Sequence, residues 1–188
     1  MSHQPNNSER EIVDLGLYAK ALESFLAESV AEFAKDHSDV EVSCMALYFN
    51  TYGMSVFVNY DTPTHCSARV AEYRENKVDE WYIGQDDAGF FYRSASEFEF
   101  AQQHDFVFSE LPDFYAAEWP LSFRSLDGST ELVDSCDEDV GRVLLREFGQ
   151  SLATFNQFGG LNRSKVFRMG IEVHNTDCRS YWLHAPDE

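Results

Sequence analysis

Residues 40–61, VEVSCMALYFNTYGMSVFVNYD, decide how this chain folds. Val40, Val42, Cys44, Ala46 and Tyr48 alternate with Glu41, Ser43, Met45, Leu47 and Phe49, and a period of two is the side-chain period of a strand. The early positions read as half-buried, and the later ones are apolar on both sides. Asn50-Thr51-Tyr52-Gly53 then turns the chain, and Met54, Val56, Val58 and Tyr60 resume the period. Two such runs around a turn predict a β-hairpin. A hairpin is not stable in water by itself, so its apolar face requires helices or further strands.

Both lie on either side. Upstream, Ser8-Glu9-Arg10-Glu11 has the spacing of a capping box. Ile12, Leu15, Ala19, Leu22, Leu26, Val30 and Phe33 follow at steps of three and four, predicting a helix with one apolar stripe over 8–36. Downstream, Asp61-Thr62-Pro63 offers a cap and then a proline at the first helical position, where its missing amide hydrogen is not needed. This predicts a short helix over 63–76 with Cys66, Val70 and Tyr73 inward. Ser135-Cys136-Asp137-Glu138 repeats the capping spacing, and Val140, Val143, Leu144, Phe148, Leu152 and Phe155 predict a helix over 137–157 ended by Gly159-Gly160. Phe167, Met169, Ile171 and Val173 alternate with Arg168, Gly170, Glu172 and His174, a strand with one polar face; Asn175–Cys178 can turn into a last strand, Ser180–His184. Between Val78 and Pro120, Trp81-Tyr82-Ile83 and Phe90-Phe91-Tyr92 read as short strands, and the capping spacing Ser94–Glu97 opens a stretch of mixed helix and loop.

The expected architecture is therefore α+β. Residues 1–7 form a flexible N-terminus and 8–188 one domain, with an antiparallel sheet from the 40–60 hairpin and the 165–184 strands packed on the 8–36 and 137–157 helices. At 188 residues and 44% hydrophobic content the chain can bury roughly 70% of its unfolded surface, which excludes general disorder despite the charge.

That charge is uneven. Residues 1–140 hold 28 of the 33 Asp and Glu but 8 of the 14 Lys and Arg, a net −20, whereas residues 141–188 carry a net +1. Such a field repels nucleic acid and anionic membrane and attracts a basic partner. No stretch approaches the ~18 apolar residues of a membrane span, and the N-terminus has neither the basic region nor the apolar run of a signal peptide. Cys44, Cys66, Cys136 and Cys178 lie 22, 70 and 42 positions apart, with neither a disulfide framework nor a zinc pattern. These features lead us to expect a reduced, cytoplasmic protein.

Several constellations contain side chains able to form a site. His174, Asp177, Cys178 and His184 contain zinc-binding side chains, but Asp177 belongs naturally to a turn, so the structural reading is preferred and no metal is expected. Cys44 sits in an apolar strand, Cys66 is adjacent to His65 in sequence, which does not make them face each other on a helix, and Cys136 has Asp134 and Asp137 to oppose its ionisation; none is expected as a nucleophile. No phosphate-binding glycine motif is present. The carboxylates remain. Asp86-Asp87 stands in a turn between aromatic runs, and Asp127, Glu131, Asp134, Asp137, Glu138 and Asp139 place six acids in 13 residues without a base. Asp86, Asp87, Asp134, Asp137, Glu138 and Asp139 are the expected partner-binding residues, with no catalytic residue and no cofactor.

In its order of elements the chain resembles a bacterial family of uncharacterised domains among the polymorphic-toxin immunity proteins, in the neighbourhood of the SMI-type families. The resemblance runs over about residues 10–185 and is carried by the opening helix, Ala46–Phe49, Val58–Thr62, Trp81-Tyr82, the late helix and Val166–Val173. It implies a small cytoplasmic α+β protein that binds and blocks a toxin, and it supplies no catalytic residues. The expected function is thus a non-enzymatic acidic binding protein, an immunity-type inhibitor of a basic toxin or another cationic protein. The alternatives are an adaptor whose acidity serves solubility, and a hydrolase or metal-dependent enzyme built on His174, Cys178 and His184.

Overall fold

The computed structural model describes residues 12–50, 55–76, 84–85, 91–92, 94–107, 114, 117–135, 138–174 and 179–184. In chain order the elements are β1 (Ile12–Asp14), α1 (Leu15–Asp36), β2 (Val42–Asn50), β3 (Ser55–Asp61), α2 (Pro63–Glu75), β4 (Gly84–Gln85), β5 (Phe91–Tyr92), β6 (Phe100–Val107), β7 (Leu121–Arg124), β8 (Thr130–Val133), α3 (Glu138–Thr154), β9 (Arg163–Val173) and β10 (Arg179–His184). The fold is α+β. Its centre is a five-stranded sheet of order β10-β9-β2-β3-β6, and a three-stranded sheet β1-β7-β8 flanks it.

The hairpin forms as the alternation requires, with Cys44 opposite Asp61 and Asn50 opposite Ser55. The closing strands β9 and β10 make a second antiparallel pair. The two pairs join differently from the expected all-antiparallel sheet: β2 and β9 run parallel, with Met45 beside Met169 and Leu47 beside Ile171. The helices explain the direction. α1 leads into β2 and α3 leads into β9, both helices contribute to one core, and two helix–strand units laid side by side deliver their strands the same way. That core holds Leu22, Leu26 and Phe33 of α1, Leu144, Phe148 and Leu152 of α3, and Leu47, Phe49, Val58, Met169 and Ile171 of the sheet.

α1 begins later than its expected start at Ser8. Ile12–Asp14 is a strand paired in parallel with β7, and Asp14 caps the helix by accepting from Gly16 N at 3.1 Å. Ile12 matched the helical spacing, yet it lies 46% exposed in β1, outside the buried stripe. α3 ends at Thr154, short of Gly159-Gly160; Phe155 and Phe158 then pack edge to face in the loop, and Gly160 takes a φ of 85° in the following turn. α2 agrees with its expected range, with Cys66 and Tyr73 buried.

Two further differences matter for function. Residues 100–107, expected as helix and loop, form the edge strand β6, bulged where Gln102 has a φ of 55° and its N–H reaches Asn59 Oδ1 at 2.7 Å. The extra residue breaks the period of two and hides the strand from a periodicity reading. The side of β9 expected to face water is also covered. Arg168 is 1% exposed, and Glu172 accepts from Ser94 Oγ at 2.7 Å and Ala95 N at 2.9 Å. This second sheet face buries Cys44, Ala46 and Tyr48 with Cys66 of α2, Ala95 and Phe98. The Ser94–Glu97 capping spacing makes only a single 3-10 turn, tied to α2 through Glu97, which takes Arg69 at 3.2 Å and the Tyr73 hydroxyl.

Candidate functional site

The groove beside the first turn of α2 combines concavity with titratable side chains. Thr62 ends the β conformation and caps α2, its Oγ1 accepting from His65 N at 3.1 Å, while Pro63 takes the first helical position. This places Asp61 and His65 four residues apart across the β3–α2 corner. His65 Nδ1 donates to Asp61 Oδ1 at 2.7 Å, and the same oxygen accepts from Thr62 N at 3.1 Å and Glu99 N at 3.3 Å. Glu99 returns from the chain before β6 and accepts from the Thr62 hydroxyl. The groove has a volume of about 460 Å³ and includes Val40, Glu41, Pro63, His65, Glu99 and Phe100 in its lining.

Asp61 is 4% exposed. Burial pushes its carboxyl above the ordinary range, opposed by the hydrogen bond and charge of His65 and then by the Glu99 and Thr62 amides. A folded value above the unfolded one means that the native chain holds this proton more tightly. The contribution of Asp61 to stability is then fully present below the unfolded value and is lost as pH rises through the folded value. Asp61→Asn removes that loss. Urea midpoints measured across a pH series should show the variant gaining on the parent as pH rises above the ordinary carboxylate range; a gap that shrinks would mean that His65 outweighs burial.

An Asp–His pair orients an imidazole, but nucleophilic catalysis also needs a nucleophile within reach of it. The Thr62 hydroxyl is engaged by His65 N and Glu99, and the Cys66 side chain is buried in the apolar cluster with Cys44, Ala46 and Phe98. A second arrangement has the connectivity of a Ser–His–Glu triad: Ser29 Oγ lies 2.9 Å from His104 Nδ1, and His104 Nε2 lies 3.1 Å from Glu32. Its polarity is reversed for catalysis. Ser29 is 2% exposed and also bonds the Tyr60 hydroxyl at 2.9 Å, while the Glu32 side chain is 67% exposed. A substrate cannot reach such a serine, and the network instead joins α1 to β3 and β6.

Of the residues expected to bind a partner, the structure describes the side chains of Asp134 and Asp139. Asp86, Asp87 and Asp137 lie outside the described residues, and Glu138 opens α3 with its side chain outside them. Asp134 is exposed after β8; Asp139 accepts from Ser135 Oγ at 3.4 Å and stands 3.9 Å from Arg142. The acidic segment lacks bases in sequence, but α3 supplies them in space. Arg146 pairs with Glu131 at 2.7 Å and Glu147 at 2.6 Å, and both partners raise its pKa. Buried Glu147 also accepts from Leu126 N at 2.9 Å, so Arg146 pins the β7–β8 turn to α3. Asp127 accepts from Ser129 N at 2.8 Å, and its bonds to Ser129 lower its pKa.

Of the metal-ligand candidates, His174 meets the Tyr48 hydroxyl through Nδ1; burial, and then Glu172, push that phenol's pKa up. Asp177 and Cys178 lie outside the described residues, as does the His184 side chain. Among the described residues no three His, Cys, Asp or Glu side chains gather as a metal site, and no helix is long and apolar enough to cross a membrane. Sequence reasoning missed the Asp61–His65–Glu99 constellation. The i, i+4 spacing across a proline-started corner was a signal for the first two, whereas Glu99 arrives by a contact 38 residues away. No protein-family model matches the chain, and no match was found among curated proteins or solved structures.

Proposed function

We propose that this chain is a non-enzymatic binding protein for a basic protein partner, acting as an immunity-type inhibitor does. The observation that carries the reading is where charge is neutralised and where it is not. Arg124 pairs with Asp14, Arg69 with Glu72 and Glu97, Arg142 with Asp139, and Arg146 with Glu131 and Glu147. Those arginines are committed to carboxylates of the same chain. Glu23, Glu28, Asp36, Asp39, Glu41 and Asp134 are exposed and have no cationic partner among the described residues. An excess of uncompensated carboxylates steers a cationic partner and accelerates its encounter.

Steered association weakens with salt, because the Debye length falls from about 30 Å at 0.01 M to about 10 Å at 0.1 M. A partner captured from the native host should therefore be basic, and its on-rate should drop steeply over that range. Neutral or acidic partners with salt-independent rates would sink the reading. Exposed pairs contribute about 0.2–1 kcal/mol each, so one substitution changes little. Asp134, Asp137, Glu138 and Asp139 replaced together by Asn or Gln should slow association and flatten its salt dependence. An unchanged on-rate in that folded variant would remove the segment as the contact surface.

A further inference from the structure

We propose that the groove between the first turn of α2 and the Val40-Glu41 segment that follows α1 receives an arginine side chain of the protein partner. This rests on the reading of the chain as a binder of a basic protein, and it names a point of contact apart from the Asp134–Asp139 segment. The groove lining is divided. Val40, Pro63 and Phe100 give it an apolar part, and Glu41 and Glu99 are exposed carboxylates. A basic side chain lays its methylene stem along apolar surface and keeps its charged head at polar groups, which is the division found here.

The acids around the groove outnumber the one base in the last turn of α1, Lys35, so the balance of local charge favours a cation. α1 terminates beside the groove: the ring of its C-cap residue His37 lies 4.9 Å from the ring of Phe100, and Val40 N donates to His37 O at 3.0 Å. A helix C-terminus is the negative end of the helix dipole. Asp36, Asp39 and Glu41 follow one another there, exposed and without a cationic partner among the described residues. The N-terminus of α2 would oppose a cation, but the fold already answers it. Thr62 Oγ1 accepts from His65 N, Asp61 accepts from Thr62 N, and Glu99 stands against the Thr62 hydroxyl. Arginine fits better than lysine, because a planar guanidinium stacks on an aromatic ring and can address two carboxylates at once.

The test titrates isotope-labelled protein with Nα-acetyl-arginine amide and, separately, with the uncharged isostere Nα-acetyl-citrulline amide, following backbone amide signals. The arginine probe should move the signals of Glu41, Thr64, His65, Glu99 and Phe100, and citrulline should not. Glu41→Gln changes an exposed side chain without an ion-pair partner in the fold. It should weaken the probe about fivefold, the upper end for one exposed pair, while Lys165→Gln leaves it unchanged. Equal shifts with citrulline, full affinity in Glu41→Gln, shifts centred on Asp127–Asp139, or no shifts at all would each overturn the proposal. The broader reading fails separately: an arginine probe seated in the groove of a protein whose captured partners are all acidic would uphold the groove and refute the basic partner.

Discussion

Phe33→Ala should lower the unfolding free energy by about 3–5 kcal/mol, the range for emptying a buried aromatic site. Phe33 is 1% exposed on the last turns of α1, and its ring stacks on Tyr60 of β3 at a centroid distance of 3.9 Å. It meets Phe100 of β6 edge to face at 5.2 Å and the His37 ring at 4.6 Å. One ring therefore joins the long helix, a central strand and the edge strand, and deletion leaves a cavity that three separate elements would have to close together. Phe33→Leu keeps most of the volume and should lose less than half as much. Equilibrium urea unfolding of both variants measures the difference; near-equal losses would mean that the site collapses around either residue. Because Phe100 lines the groove, Phe33→Ala should also broaden the amide signals of Glu99 and Phe100.

The features legible in the sequence were those whose cause is local. The β2–β3 pairing follows from the alternation in 40–61, and the buried stripe of α1 from spacings of three and four. What stayed hidden depends on distant partners. Ile12 fits the helical stripe but pairs with Ser122, 110 residues on, so the helix starts at Leu15 and not at Ser8. Arg168 and Glu172 alternate with apolar residues as a solvated face would, yet the second face of the sheet is covered. No periodicity distinguishes a polar side chain facing water from one satisfied by a loop that returns from 77 residues away, as Ala95 does to Glu172. The parallel join of β2 and β9 was missed for the same reason, since each hairpin specifies its own pairing and not its neighbour.

Charge was legible as a sum but not as a map. The run from Asp127 to Asp139 contains no base, and sequence alone makes it the strongest acidic surface. In three dimensions Arg146 reaches from α3 to Glu131 of β8, and Arg142 approaches Asp139 from one turn further along the same helix. Asp36, Asp39 and Glu41 form a shorter run that follows Lys35, and the fold sets it after a helix C-terminus with Glu41 lining a groove. The sign of the field was readable; its focus required the fold.

Gly170 provides the second large effect. It lies on β9 directly opposite Tyr181 of β10, and a Cβ built there would stand 2.2 Å and 2.3 Å from two carbons of the Tyr181 ring. The ring lies flat over the glycine and fills the space a side chain would take, an arrangement by which an aromatic covers a strand glycine that would otherwise expose backbone. The strain is steric and not conformational, since no left-handed φ is present at this position. Gly170→Ala must therefore displace Tyr181 or spread the β9–β10 pair, and should cost toward the upper end of the ~1–3 kcal/mol typical of overpacking. The double variant Gly170→Ala/Tyr181→Ala removes the ring that is struck, so its loss should be well below the sum of the single losses, with a coupling of about 1–3 kcal/mol. Denaturant midpoints of the four proteins in the cycle provide the measurement. Additive losses would place the Tyr181 ring elsewhere and leave the glycine without a packing reason.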